Sequence, residues 1–251
     1  MGASGCASPS RVSAENAGSP LNPESIRWFP DRAWGGRAYV PVDISGEFLD
    51  GVAEGLRAEY PRTEIRPVVA DMSEALPLPA SLPGPILFAL LGSTIGNFPD
   101  AEAAALLRRV RSRMGEDDRF LLGFDLVKDV EVLEAAYNDA AGVTAAFNLN
   151  VLSVLNRELG ADFDPDAFRH RAVFDGDERR IEMHLVSTSA QTVTVAGEQF
   201  QFEEGESVRT ECSHKYTLEE FAGMAERAGF AVDRVWTDRG RLFSVQYCVR
   251  R

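Results

Sequence analysis

The chain is short of cysteine, histidine and basic charge, and it has no long apolar run. Cys6, Cys212 and Cys248 lie far apart, lack metal-ligand spacing and can form at most one pair. A disulfide scaffold is therefore excluded, and a reducing compartment, by default the cytoplasm, is expected. His170, His184 and His214 form neither HxxH nor HExxH, so no metal is expected. Lys and Arg total 26 against 39 Asp and Glu, a formal net charge of −13. That balance argues against nucleic acid as a partner, because phosphate binding is driven by basic side chains. No stretch approaches the roughly 18 apolar residues of a membrane span, so no membrane partner is expected. The P-loop signature and the dinucleotide glycine fingerprint are both missing, which counts against a dehydrogenase.

What is present is enough apolar content, 45% of 251 residues, to fill a real core. Residues 1–27 contribute almost none of it; rich in Ser, Gly, Ala and Pro, they read as a disordered or non-native arm. Beyond the arm, short apolar strands alternate with helical patterns. Arg37–Asp43 precedes a helix through Phe48, Leu49, Val52 and Leu56, for which Ser45 and Glu47 give weak capping signals. Glu64–Asp71 follows, then the apolar run 85–90, a helix through Ala103, Leu106, Leu107, Val110 and Met114, and the strand Arg119–Asp125. This succession predicts an α/β fold with a doubly wound sheet, in which 85–90 is a buried parallel strand.

From Asp129 the pattern turns helical, with a longer helix predicted over Val143–Leu159. Arg180–Ser187 and 191–202 then alternate at period two, as antiparallel hairpins with one wet face do, and Asp175-Gly176-Asp177 marks a hairpin break. The end reads as a capped helix, with Thr217 as cap, Glu220 at the third helical position and Gly229 as stop, followed by a two-stranded hairpin. The expected division is a core formed by 28–127 and 216–251, with an α+β subdomain, 128–215, inserted for substrate.

Loops at strand C-termini carry the chemistry of open α/β sheets, so the candidate residues are sought there. Asp43 stands where a carboxylate can pair with both hydroxyls of a ribose, and Asp71 can accept from an adenine amino group. In LGSTIGNFPD, Gly92 lets a ligand approach the backbone, and the Asn97 amide offers both donor and acceptor. Tyr137 closes an apolar helical stripe. Glu211 and Ser213 share one face of a period-two segment, where a carboxylate can pair with a cationic or imidazole N–H group. Met183 reads as core.

These residues sit in segments that resemble the histidine-specific methyltransferases, which use S-adenosyl-L-methionine to convert L-histidine to its Nα-trimethyl form, hercynine, in ergothioneine biosynthesis. The resemblance runs through FALLGSTIGNFPD, LLGFDLVKD, AAYNDAAGVTAAFNLNVLSVLNREL, DERRIEMHL and RTECSHKYTLEEFAGMAERAGF, about the last four fifths of the chain. It implies a Rossmann-like class I methyltransferase sheet with S-adenosyl-L-methionine as cofactor. By the same resemblance Asp43 matches the ribose-binding acid, and Asp71 and Met72 the pair beside the adenine. Gly92 matches the turn shared by cofactor and substrate, and Asn97 the group that fixes the substrate carboxylate. Tyr137 matches a second substrate anchor, Glu211 and Ser213 the groups that recognise the imidazole, and Met183 a lining residue. The retained Glu211 favours histidine over the tryptophan-type substrates of related enzymes.

The family's first strand ends in a glycine-rich Glu-x-Gly-x-Gly signature, which residues 1–36 do not contain; Trp34-Gly35-Gly36 follows no strand pattern. The expectation is a sheet incomplete at its N-terminal side, with a homo-oligomer as one way to compensate for the missing strand. Two classes of function stay open: a methyltransferase, or an inactive family member that binds an amino acid or adenosine or serves as a partner subunit.

Overall fold

The computed structural model describes residues 38–251; the expectations for the 1–27 arm, for Cys6, for Trp34-Gly35-Gly36 and for Arg37 as a strand residue lie outside them. The described residues fall into two compact units, one ending at Gly84 and the other spanning Pro85–Arg251. In the first, β1 (Ala38–Tyr39) and β2 (Val42–Asp43) lead into α1 (Gly46–Glu59), which returns the chain to β3 (Glu64–Ile65) and β4 (Val68–Val69). β1 pairs with β3 and β2 with β4, both in parallel. The two short pairs are one ladder interrupted at Pro41, which has no N–H to give. Arg66 N–H still donates to Tyr39 O at 2.9 Å, Val68 to Pro41 at 2.9 Å and Ala70 to Asp43 at 3.0 Å.

Leu49, Ala53 and Leu56 fall on one face of α1 and are buried against Ile65, with Tyr39, Val52 and Tyr60 around them. Burial pushes the Tyr39 phenol up to about 12. Ser45 holds the N-cap position of α1, but its hydroxyl makes no capping bond. Its N–H instead donates to Asp43 Oδ1 at 2.8 Å, which turns the chain from strand to helix.

The second unit opens with β5 (Leu87–Leu90), a 3-10 turn (Thr94–Asn97), α2 (Asp100–Arg113) and β6 (Arg119–Asp125). It continues through α3 (Val130–Tyr137), α4 (Val143–Leu159), β7 (Phe168–Asp175), β8 (Arg180–Ser187), β9 (Gln191–Val195), β10 (Glu198–Phe202) and β11 (Ser207–His214). It ends with α5 (Leu218–Arg227), β12 (Phe230–Thr237) and β13 (Phe243–Arg250). The main sheet runs β12-β13-β6-β5, with β5 parallel to β6 and the terminal hairpin antiparallel to it. Phe120, Leu122 and Phe124 of β6 are fully buried, and Phe124 lies 4.5 Å, centroid to centroid, from Phe221 of α5.

The capping box of α5 forms as the sequence predicts. Thr217 Oγ1 accepts from Glu220 N–H at 3.1 Å, Glu220 Oε2 accepts from Thr217 N–H at 3.0 Å, and Gly229 takes a left-handed φ of 86° after the helix. The expectation for β5 fails in part. It is parallel, but among the described residues it pairs with β6 alone, and as an edge it leaves Ala89 exposed and the rest half-buried.

A second sheet, β11-β8-β7, is antiparallel throughout, and β9 and β10 form a separate hairpin across the left-handed pair Ala196-Gly197. One face of this sheet takes α3 and α4. Leu133 packs with Ala172, Ile181 and Met183, while Leu152 packs with Phe168 and Leu185. Met183 is thus core, as its position in the sequence suggests. No helix among the described residues is long and apolar enough to cross a membrane.

Candidate functional site

The turn after β5 is held in a conformation that opens its backbone. Gly92 has φ 75°, and a Cβ placed on it would meet nothing within 4 Å. Ser93 is also left-handed, at φ 61°, an arrangement that costs a non-glycine residue about 1–2 kcal/mol. It is pinned to the end of β6: Ser93 N–H donates to Gly123 O at 3.1 Å, and Ser93 Oγ accepts from Asp125 N–H at 3.0 Å.

Gly96 is required by contact. A Cβ there would stand 2.6 Å from His214 O. His214 Nδ1 donates to Gly96 O at 2.9 Å, strapping the turn to the end of β11. Asn97 closes the 3-10 turn, exposed, with no protein partner for its amide among the described residues.

β11 brings the next residues together. Glu211 pairs with Met183 and Ser213 with Ile181, so both lie on the face that α3 covers, as the period-two reading expects. A bulge between Arg209 and Glu211 sets this register by leaving Thr210 outside it, where its hydroxyl donates to Asn148 Oδ1 at 2.6 Å. Tyr137 reaches the same face from the C-terminus of α3 and donates to Ser213 Oγ at 2.9 Å.

That helix end is fixed by β7. His170 Nε2 donates to Tyr137 O at 2.8 Å, and the Asn138 amide exchanges two 2.9 Å hydrogen bonds with the Ala172 backbone. The Glu211 carboxylate takes no hydrogen bond from any described residue. Burial pushes its carboxyl above the usual carboxylate range, with the Lys215 charge opposing.

Lys215 is the residue the sequence reading missed. Its side chain is fully buried, and Nζ donates to Tyr137 Oη and Ser213 Oγ, each at 2.9 Å, and to Asp125 Oδ2 at 3.1 Å. Lys128 holds the other oxygen of Asp125 at 2.5 Å. These are the only two lysines in a chain whose other 24 basic residues are arginine. That scarcity was the available signal, because a compact ammonium with three convergent donors does what a planar guanidinium cannot.

In the first unit, Asp43 ends β2 with its side chain largely buried, and Asp71 follows β4, its Oδ1 accepting from Ser73 N–H at 2.7 Å. Met72 is half-buried beside it. Ile44 and Phe48 are exposed next to Asp43, at an open concavity of about 550 Å³ lined by Ser45, Glu47, Phe48, Gly51 and Val52. The arrangement offers a carboxylate acceptor with apolar surface at its side. Among the described residues no cluster of His, Cys, Asp and Glu could hold a metal ion.

Parallel strands ending in acidic loops, followed by a sheet closed by an antiparallel terminal hairpin, define a Rossmann-like methyltransferase fold. The crystal structure of OxaC in complex with SAH and oxaline shares it, with a TM-score of 0.51 at 15% identity, over 94% of this chain and 41% of that one. The chain belongs to the family of histidine-specific, SAM-dependent methyltransferases, whose sequence profile matches residues 26–250. It is 43% identical over 218 residues to the histidine N-alpha-methyltransferase of Mycolicibacterium smegmatis, covering 85% of this chain and 67% of that protein. It is 30% identical over 141 residues to ergothioneine biosynthesis protein 1 of Schizosaccharomyces pombe, covering 56% of this chain and 18% of that protein.

Proposed function

We propose that this chain methylates the α-amine of L-histidine with S-adenosyl-L-methionine, toward the trimethylated product in ergothioneine biosynthesis. Family membership supports the reaction class. The observation that carries the substrate is Glu211, a half-buried carboxylate without a protein donor, on the same face as the hydroxyls of Ser213 and Tyr137. The Glu211 carboxylate is only partly buried and accepts from no described residue, so it stays free to take an N–H from a ligand, and an imidazole has one.

In this reading Glu211 and Ser213 hold the ring, Met183 lines its pocket, Asn97 fixes the carboxylate, and Tyr137 is a second substrate anchor. Residues 128–215 then serve as the substrate-binding subdomain. Gripping the amino acid at both ends fixes the nitrogen between them, and orientation contributes more to such a transfer than a strong base does. The amine must be neutral to react, so small and apolar neighbours suit its site better than a fixed charge.

The residues present fit the cofactor. In the first unit Asp43 keeps an acceptor suited to ribose hydroxyls beside exposed apolar surface, and Asp71 and Met72 suit the adenine; in the second unit, taken by itself, Gly92 leaves open backbone of the kind the methionine portion needs. When bound, the cofactor supplies a methyl group made electrophilic by its sulfonium. Cytoplasmic residence belongs to the same reading, in keeping with the free thiols of Cys212 and Cys248.

The test is calorimetric titration of L-histidine into the protein with S-adenosylhomocysteine, then incubation with S-adenosylmethionine and mass analysis. Binding followed by one to three added methyl groups is expected. Asn97→Ala should weaken histidine binding about tenfold and leave S-adenosylhomocysteine affinity within about twofold. Binding without transfer would favour an amino-acid-binding role, and absence of both would reject the reading.

A further inference from the structure

We propose that Asn148 and His170 are positioning residues for the substrate grip, joining the strand that carries Glu211 to the helix end that carries Tyr137, with His170 held as a neutral ring protonated on Nε2. The inference rests on the histidine reading above and adds to it two residues that hold no substrate atom themselves. Thr210, set outside the ladder by the β11 bulge and next in sequence to Glu211, donates from its hydroxyl to Asn148 Oδ1 at 2.6 Å. Asn148, on α4, is 3% exposed. Its Nδ2 lies 3.2 Å from His184 O of β8 and 3.0 Å from His170 Nδ1 of β7. His170 Nε2 lies 2.8 Å from Tyr137 O, where α3 ends.

The backbone carbonyls at the two ends settle the protons between them, because a carbonyl oxygen only accepts. His184 O needs an N–H, so Asn148 turns its amide nitrogen, not its oxygen, toward β8 and His170. Asn148 Oδ1 then points at Thr210, whose hydroxyl supplies the hydrogen. Tyr137 O also needs an N–H, so the His170 ring carries its proton on Nε2. Nδ1 faces an amide N–H and is bare. A ring protonated on Nδ1 alone would set two lone pairs against each other at Tyr137 O, and one protonated on both nitrogens would set N–H against N–H at Asn148.

Each end of this chain of bonds meets an anchor. Tyr137 is the last residue of α3, and its carbonyl is one of those a helix leaves without an intrahelical donor. Taking that donor from β7 fixes where the helix stops, and the Tyr137 side chain starts from that point. At the other end, the bond to Thr210 pins the bulge that sets the face on which Glu211 lies. Asn138 already ties the same helix end to Ala172, so α3 keeps its place on β7 without His170. What Asn148 and His170 add is the connection to the strand of Glu211, and a buried network with every member satisfied is rigid.

L-histidine is titrated calorimetrically, with S-adenosylhomocysteine present, into wild type, His170→Leu, Tyr137→Phe and the double variant. His170→Leu should bind L-histidine about five- to tenfold more weakly, the effect of one ordinary hydrogen bond, with S-adenosylhomocysteine affinity within about twofold of wild type. In the Tyr137→Phe background the same substitution should cost less than about twofold, because its route to the substrate is gone. Asn148→Leu goes through the same cycle, with the same expectation, if His170→Leu does not fold. Nitrogen-15 imidazole spectra of wild type, with His170 identified by its absence from His170→Gln, should show Nε2 protonated and Nδ1 bare. Affinity for L-histidine within about twofold of wild type in the single variant overturns the proposal. So does an equal loss in both backgrounds, which is what general loosening would give, and so does a His170 ring protonated on Nδ1. If wild type binds no L-histidine, the functional reading falls and this inference with it; firm binding by wild type together with any of those three results removes this inference alone.

Discussion

The two faces of β8 and β11 carry similar side chains to different ends. On the outer face Glu182 is surrounded by donors: Arg180 Nη2 at 2.6 Å, Arg209 Nη1 at 2.7 Å and His184 Nε2 at 3.1 Å. On the inner face Glu211 has none, while its neighbours Ser213, Tyr137 and Lys215 are bonded to one another. Burial opposes ionisation of both carboxyls, but the three donors bring Glu182 down to about 2, whereas Glu211 is left raised. One face is finished within the protein, and the other is finished only when something binds. A charged group satisfied by its neighbours stabilises a fold, and one left unsatisfied marks where a ligand belongs.

The largest effect that would break this contrast is at Glu211. Glu211→Gln should weaken L-histidine binding by about 10- to 100-fold in calorimetry, the span of a hydrogen bond to a charged acceptor. The same variant should not lower the thermal midpoint. The folded state binds the Glu211 proton more readily than the unfolded chain, so the ionised carboxylate works against folding once the pH exceeds its ordinary value of 4.5. A drop in both would make Glu211 structural.

Next in size is Gly96→Ala, expected to cost about 2–3 kcal/mol in denaturant titration because its Cβ would press on the His214 carbonyl and loosen the strap between turn and strand. Full stability in that variant would show the strap to be dispensable. Glu182→Gln should cost about 1–2 kcal/mol near neutral pH, discounted for the half-exposed Arg209, with histidine binding unchanged. The folded Glu182 pKa lies below its ordinary 4.5, so its contribution is complete above that pH and lost as the pH falls toward about 2. The variant's deficit should shrink over that acid window. Thr217→Ala, which removes half of the capping box, should cost about 1 kcal/mol and leave both faces untouched.

Much of this was legible in the sequence because it is local. The α5 cap, the α4 span, the terminal hairpin and the strand-closing position of Asp43 follow from spacing and residue type. The shared face of Glu211 and Ser213 follows from period two. Where the reading fell short, the cause lies outside the segment. Residues 85–90 are apolar enough for a central strand, but whether a strand has one neighbour or two is decided by pairing. Ser45 has the composition of a cap and stands at the N-cap, yet its hydroxyl makes no capping bond, and the bond formed locally runs from its backbone N–H to Asp43.

By itself, the sequence determined most of the elements, the α5 cap, the acidic strand ends and the family, since each depends on residues a few positions apart. Only the tertiary structure decided that Tyr137 would meet Ser213, 76 positions away, and Lys215, 78 away, or that both lysines would converge on Asp125. Periodicity records which way a side chain points, and it holds no record of what stands opposite. That is settled when helices and sheets pack and each buried polar atom must find a partner or wait for a ligand.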